Sequence, residues 1–140
     1  MRNENFPQEL PYVQTVCGKI SPDLLGPTLM HEHVLVDIRP PSMRNVAQIG
    51  KKITLENRFT CDYGEVWAPG NYVLNQQNIA INELEKMNLS GGKSIVELSC
   101  GGLNPNPKGL QKVSQKSQTN IIMGCGYYVE EYLDPILHNN

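Results

Sequence analysis

Residues 26–34 read Gly26-Pro27-Thr28-Leu29-Met30-His31-Glu32-His33-Val34, which places a His-x-His pair inside an apolar run. The apolar residues on both sides of the pair are typical of a strand buried on both faces, as in a parallel sheet. Side chains along a strand alternate, so His31 and His33 are predicted to project the same way and Glu32 to face away. Two imidazoles on one face can bind a divalent metal ion. The stretch therefore indicates a metal-assisted hydrolase with an α/β fold, although a His-x-His pair also occurs as an ordinary surface or core pair.

Strand and helix patterns alternate along the rest of the chain. Residues 12–20 alternate as an edge strand does, and residues 28–36 form the first long strand. Apolar residues at helical spacing predict helices over 72–88 and 107–117. The strand–helix–strand order predicts a right-handed parallel arrangement.

Three segments resemble a known family. Val13-Gln14-Thr15-Val16-Cys17-Gly18, followed by the run from Gly26 to Val34, is similar to the opening of the phosphotriesterase family of the amidohydrolase superfamily, and most similar to its phosphotriesterase-related branch. Residues 94–102 and 120–129 are similar to the second and third barrel strands of that family. The resemblance implies the N-terminal part of a TIM (β/α)8 barrel: a β-hairpin, then about three parallel strands with crossover helices, with the barrel incomplete.

The resemblance also implies a site. His31 and His33 would bind the more buried of two divalent metal ions, most often zinc, at the end of the first barrel strand. The residues themselves do not select the metal, because imidazole suits zinc, iron, cobalt and nickel. Tyr128 would line the substrate pocket, and packing beneath a loop is an equally open role for it. No catalytic residue is assigned.

Length limits what the chain can contain. A (β/α)8 barrel takes about 250 residues, and this chain has 140. The expectation is a single partial domain over residues 1–140, with a flexible arm at 1–10 and a long loop at 40–70 after the first barrel strand. By resemblance, the missing strands would supply a bridging carboxylated lysine or glutamate, two further histidines and an aspartate. The remaining histidine, His138, matches none of these positions.

Three functions remain open at this point. The first is a metal-dependent hydrolase of phosphotriesters, lactones or N-acyl amides that uses metal-activated water but lacks part of the site. The second is a catalytically inactive fragment that binds metal weakly or assembles with another chain, because a parallel sheet of three strands exposes an unpaired edge. The third is a small α/β binding module in which the two histidines are incidental.

Composition and net charge limit the classes of partner that the chain is expected to bind. Charged residues are 19% and the net charge is −2, which argues against a nucleic-acid or anionic-membrane partner. No apolar run approaches the length of about 18 residues that a membrane helix needs, and no signal-peptide pattern opens the chain, so a cytoplasmic location is expected. The expected partners are a small-molecule ester, lactone or amide, and a second copy or a complementing chain.

Two smaller predictions concern cysteines and charges. The four cysteines are widely spaced and are expected to be free thiols, with Cys100 and Cys125 as buried packing residues. Asp37 and Arg39 lie two positions apart, which favours a local ion pair.

Overall fold

A β-hairpin opens the part of the chain that the structure, a computed structural model, describes, which is residues 11–45 and 50–133. Its strands are β1 (Val13–Thr15) and β2 (Gly18–Ile20), which pair antiparallel. The Thr15 hydroxyl donates to the Gly18 carbonyl oxygen at 2.8 Å and closes the turn. A single strand over residues 12–20 was therefore a wrong prediction, and the hairpin implied by the resemblance is confirmed. The predicted arm at 1–10 lies outside the described residues, as does His138.

Five strands and three helices follow in the described residues. The strands are β3 (Thr28–Glu32), β4 (Val36–Asp37), β5 (Val73–Leu74), β6 (Ser94–Glu97) and β7 (Asn120–Met123). The helices are α1 (Arg58–Asp62), α2 (Gln77–Leu89) and α3 (Pro107–Ser117).

A parallel sheet with the order β3-β6-β7 forms the centre of the fold. Helix α2 lies in the connection from β3 to β6, and α3 connects β6 to β7, so the predicted three parallel strands with crossover helices are confirmed. The hairpin contacts the far strand through the Val16 amide, which donates to the Ile121 carbonyl oxygen at 2.9 Å. Within the described residues the sheet does not close into a barrel.

The first long strand is shorter than predicted. It ends at Glu32, and its register with β6 shifts between Leu29 and Glu32. Val36–Asp37 leaves the parallel sheet and pairs antiparallel with Val73–Leu74. The same pairing explains why α2 begins at Gln77 rather than at residue 72, as predicted.

The loop predicted over residues 40–70 contains one short helix, α1, in its described part. Two single turns of 3-10 helix also occur, at Pro41–Met43 and Pro69–Asn71. Within this segment, residues 46–49 are not described.

The core lies between the sheet and its two crossover helices. Its buried members are Leu35, Leu84, Ile95, Leu110, Val113 and Ile121. Helix α3 supplies two of them, Leu110 and Val113, from one face. Its bounds, Pro107–Ser117, are the predicted ones. Burial removes apolar surface from water, and this packing fixes the ends of β3, β6 and β7 relative to one another.

Two predictions of burial are wrong. Leu29 and Met30 in β3 are 46% and 68% exposed, because β6 is the only strand paired with β3 among the described residues. Cys125 is exposed and Cys100 is half-buried, so neither is the fully buried packing residue that was expected. The free state predicted for all four cysteines is confirmed.

Candidate functional site

His31 and His33 lie together at the carboxyl end of β3. His31 is within the strand and His33 follows it directly. Their ring centroids are 6.2 Å apart with an angle of 74° between the ring planes. The His31 side chain is exposed, whereas His33 is half-buried. The fold therefore brings the two predicted metal ligands to one place, at the edge of the sheet where α/β proteins form their sites.

Ser99 contacts the His33 ring. Its hydroxyl oxygen lies 3.0 Å from Nδ1 of His33, and Ser99 itself is 1% exposed. Ser99 comes two residues after the end of β6, the strand next to β3. The contact is made at Nδ1 of His33, so Nε2 is the ring nitrogen that remains to bind a metal ion. The sequence did not predict it, because the two residues are 66 positions apart and a lone serine has no motif.

Glu97 fixes the backbone on both sides of this contact. Its side chain is fully buried, and its two carboxyl oxygens accept from the Val34 amide at 3.4 Å and from the Ser99 amide at 3.1 Å. In the structure it joins the residue after His33 to Ser99.

A cavity of about 330 Å³ adjoins the histidines between β3 and α2. Glu32 and His33 are both among its lining residues. Strict alternation ends at the register shift in β3. Apolar side chains form much of the remaining wall: Leu29, Ile79, Ala80, Leu84, Met87 and Ile95.

A buried ion pair follows the site in the chain. Arg39 donates to Asp37 through Nε at 2.9 Å and through a terminal nitrogen at 2.6 Å, which confirms the predicted local pair. The hydrogen bond from Arg39 lowers the pKa of Asp37 below its ordinary value. The guanidinium of Arg44 donates to the Gly102 carbonyl oxygen, which connects this region to the loop after β6.

Tyr128 lies on the loop after β7 and is 42% exposed. Its amide donates to the Gly101 carbonyl oxygen at 2.8 Å, and its ring meets Tyr132 edge-on at 5.1 Å. The Tyr132 hydroxyl donates to the Ile38 carbonyl oxygen at 3.1 Å, and burial raises the pKa of Tyr132. Tyr128 is thus at the carboxyl-end face of the sheet, in contact with neighbouring loops.

The described residues hold no group of three or more His, Cys, Asp or Glu side chains placed to bind a metal ion. The two imidazoles nevertheless suit a divalent transition metal, since neutral imidazole is a ligand for zinc and similar ions. His31 and His33 therefore fit as two ligands of a larger set.

Comparison with known proteins identifies the family. The model of the phosphotriesterase family matches residues 11–138. The chain belongs to the phosphotriesterase family. This membership confirms the resemblance seen in the three sequence segments, and the match covers nearly the whole chain.

Curated relatives within the phosphotriesterase family include a phosphotriesterase-related protein from Nematostella vectensis, 31% identical over 141 residues. An N-acetyltaurine hydrolase from Dictyostelium discoideum is 30% identical over 152 residues, and one from Xenopus tropicalis is 34% identical over 123. The matches cover 90%, 91% and 84% of this chain but 38%, 41% and 35% of those relatives. The chain thus spans about two-fifths of the length of the relatives it matches.

Solved structures agree with the fold. A resiniferatoxin-binding protein from Rhodobacter sphaeroides superimposes with a TM-score of 0.76 at 28% identity, over 92% of this chain and 37% of that one. An organophosphorus hydrolase from Deinococcus radiodurans gives 0.60 at 23% identity, over 85% and 29%. The predicted N-terminal part of a TIM (β/α)8 barrel is confirmed.

Among the residues that the structure describes, no helix is long and apolar enough to span a bilayer.

Proposed function

We propose that this chain carries part of the metal site of a metal-dependent hydrolase. His31 and His33 would be ligands of a divalent ion, and zinc is the metal that we expect. The observation that supports the proposal is the placement of both rings, 6.2 Å apart, at the carboxyl end of β3. Barrel enzymes bear their active sites at this end of the strands. In the complete family site, two such ions are expected.

Each part of the chain has a role in this proposal. A divalent cation bound there would supply Lewis-acid chemistry: it would activate water and polarise the bond to be cleaved. His31 and His33 would hold the ion through ring nitrogens, and the contact between Ser99 and Nδ1 would orient the His33 ring. The group that accepts the proton, and the remaining ligands, would come from barrel strands beyond β7.

Small N-acyl amides are the substrate class that we place first, ahead of lactones and phosphotriesters. Relatives named N-acetyltaurine hydrolase, at 30% to 34% identity, support this order. Metal ligands alone do not determine the substrate, because the loops around the barrel mouth do so.

We propose that Tyr128 lines the substrate pocket. In the assembled enzyme, Tyr128→Ala should raise KM more than it lowers kcat.

A cytoplasmic location and the lack of nucleic-acid and membrane partners stay predictions.

The second candidate is an inactive chain that binds metal weakly or assembles with another polypeptide. It is favoured by the exposed apolar side chains of β3, at Leu29 and Met30, beside a strand edge without a partner in the described residues. A second copy or a complementing chain could cover this edge.

Metal binding is the test of the proposal. Zinc content and thermal stability should be measured for the wild type, for the double variant His31→Ala/His33→Ala, and for His138→Ala as a matched histidine control. Zinc should bind and raise the melting temperature in the wild type and the control, because a ligand of the folded state stabilises it by mass action. The double variant should lose both effects. Equal zinc uptake by all three proteins would contradict the proposal.

Turnover tests whether the chain holds a complete site by itself. With two ligands in place, the purified 140-residue chain is expected to show no hydrolysis of N-acetyltaurine or of a simple lactone. Turnover that is abolished by His31→Ala would show instead that the chain holds a complete site by itself.

A further inference from the structure

The contact between Ser99 and His33 is sheltered from water. Ser99 is 1% exposed and its hydroxyl lies 3.0 Å from Nδ1 of the half-buried His33 ring. A hydrogen bond in such a place competes little with solvent, so it restrains the ring more than an exposed contact would.

Glu97 holds Ser99 at this point. Its carboxyl group accepts from the Ser99 amide and from the Val34 amide, and thereby joins the backbone beside His33 to the backbone of its partner. Glu97 is itself fixed in β6, where it is aligned with Met123 of β7 and its carbonyl oxygen accepts from the Gly124 amide at 2.7 Å. The position of His33 is thus set by the neighbouring strand as well as by its own.

We propose that Ser99 and Glu97 are positioning residues for His33. Ser99 accepts a hydrogen bond from Nδ1–H of His33, so the proton stays on Nδ1 and Nε2 is unprotonated. Glu97 keeps Ser99 in place. The inference rests on the proposed function for the metal that Nε2 would bind. It concerns side chains that neither the His-x-His pattern nor the family match assigns.

The chemistry of imidazole supports these roles. A neutral imidazole has one N–H donor and one acceptor nitrogen, and the hydrogen bond at one nitrogen selects the tautomer. Partners of this kind orient metal-binding histidines and raise their basicity, and their loss lowers metal affinity about 10- to 100-fold. Glu97 acts by geometry alone, since both of its contacts are with backbone amides.

His31 provides an internal reference. It is exposed, and its described contact is the edge-on approach of the His33 ring. Its tautomer should therefore be that of a histidine in water, and it should not respond to changes at Ser99.

The tautomer is measured directly on the full chain. Two-bond proton–nitrogen NMR spectra of ¹⁵N-histidine-labelled, metal-free protein at about pH 8, above the ordinary imidazole pKa of about 6.5, report which nitrogen carries the proton. The wild type should show Nδ1–H at His33. Ser99→Ala should shift His33 toward Nε2–H, the form that free imidazole side chains prefer, and leave His31 unchanged. Nε2–H at His33 in the wild type would overturn the proposal, even if a variant failed to fold.

Zinc affinity gives the second readout, by competition with a chelator. Ser99→Ala should weaken binding about 10- to 100-fold, and Ser99→Thr, which keeps the hydroxyl, should restore both the affinity and the tautomer. Glu97→Gln should weaken binding less, because one of its two oxygen acceptors becomes an amide nitrogen that donates. Affinity unchanged in Ser99→Ala would contradict the positioning role.

The two proposals fail in different ways. If the wild type binds no zinc but shows an Nδ1–H tautomer that depends on Ser99, the metal function is wrong and the positioning of His33 stands. If zinc binding is lost in His31→Ala/His33→Ala but neither readout responds to Ser99→Ala, the metal function stands and the positioning role is wrong.

Discussion

Asp37 and Arg39 form a buried pair whose partners depend on each other. Their side chains are 9% and 8% exposed and are joined by two hydrogen bonds, of 2.9 and 2.6 Å. Arg39→Met removes the guanidinium and leaves a buried carboxylate without its counter-charge, which should cost about 3–5 kcal/mol of unfolding free energy. Urea unfolding at pH 7 measures the loss. The double variant Asp37→Asn/Arg39→Met should recover part of it, because no unpaired charge then remains.

The dependence of stability on pH provides a second test of the Asp37–Arg39 pair. The pKa of Asp37 is lowered in the folded chain by its hydrogen bond from Arg39. The stabilisation is therefore complete above the unfolded carboxyl pKa of about 3.9 and is lost as the pH falls through the lower folded pKa. The wild type should lose stability in this acid range more steeply than Asp37→Asn does. Parallel pH profiles would contradict the assigned ion pair.

Single residues differed in how far the sequence could predict them. His31 and His33 were recognisable because their spacing is itself the motif, and Asp37 and Arg39 because they are two positions apart. Ser99 was not, since its role arises only when β3 and β6 lie side by side and bring residues 66 positions apart into contact. The separation of ligand and partner in sequence is the physical reason for the difference.

At the level of elements, local patterns succeeded where local forces decide. Helix α3 has the predicted bounds, Pro107–Ser117, because a proline suits the first turn and its apolar residues recur at helical spacing. The end of β3 and the start of α2 were wrong, because Val36–Asp37 pairs with Val73–Leu74 across a long connection. Such a pairing leaves no mark in either segment alone.

Gly109 in α3 shows how packing reverses a helix propensity. On propensity alone, Gly109→Ala should stabilise the helix by about 1 kcal/mol. A Cβ at this position, however, would lie 2.5 Å from Nδ2 of Asn106 and 2.8 Å from Cδ1 of Leu35. Asn106 also caps the helix by accepting from the Gly109 amide at 2.8 Å. The variant should therefore lose about 1–3 kcal/mol, the usual cost of overpacking.

Urea unfolding of Gly109→Ala measures this reversal. Gln115→Ala, at an exposed position of the same helix, is the matched control, and it should change the unfolding free energy by less than about 0.5 kcal/mol. Stabilisation by Gly109→Ala would show that Asn106 and Leu35 move aside at little cost.

For the whole molecule, the open sheet is the dominant feature. The chain matches 35% to 41% of the length of its curated relatives, and its described parallel sheet has three strands. The hairpin contacts β7 through Val16 and Ile121, whereas β3 has β6 as its only strand partner in the described residues. Unpaired backbone groups therefore lie beside the exposed Leu29 and Met30. An edge of this kind favours pairing with another chain.

Self-association through this edge is the expected behaviour of the purified chain. Met30→Lys places a charge on β3 at a side chain that is 68% exposed, and a lysine on an edge strand opposes pairing. Sedimentation velocity over a range of concentrations should show weaker association than in the wild type. Leu55→Lys is the control, since Leu55 is 89% exposed but lies outside the sheet. If both variants weaken association equally, general hydrophobicity rather than the β3 edge drives it; if neither does, the edge is not the contact.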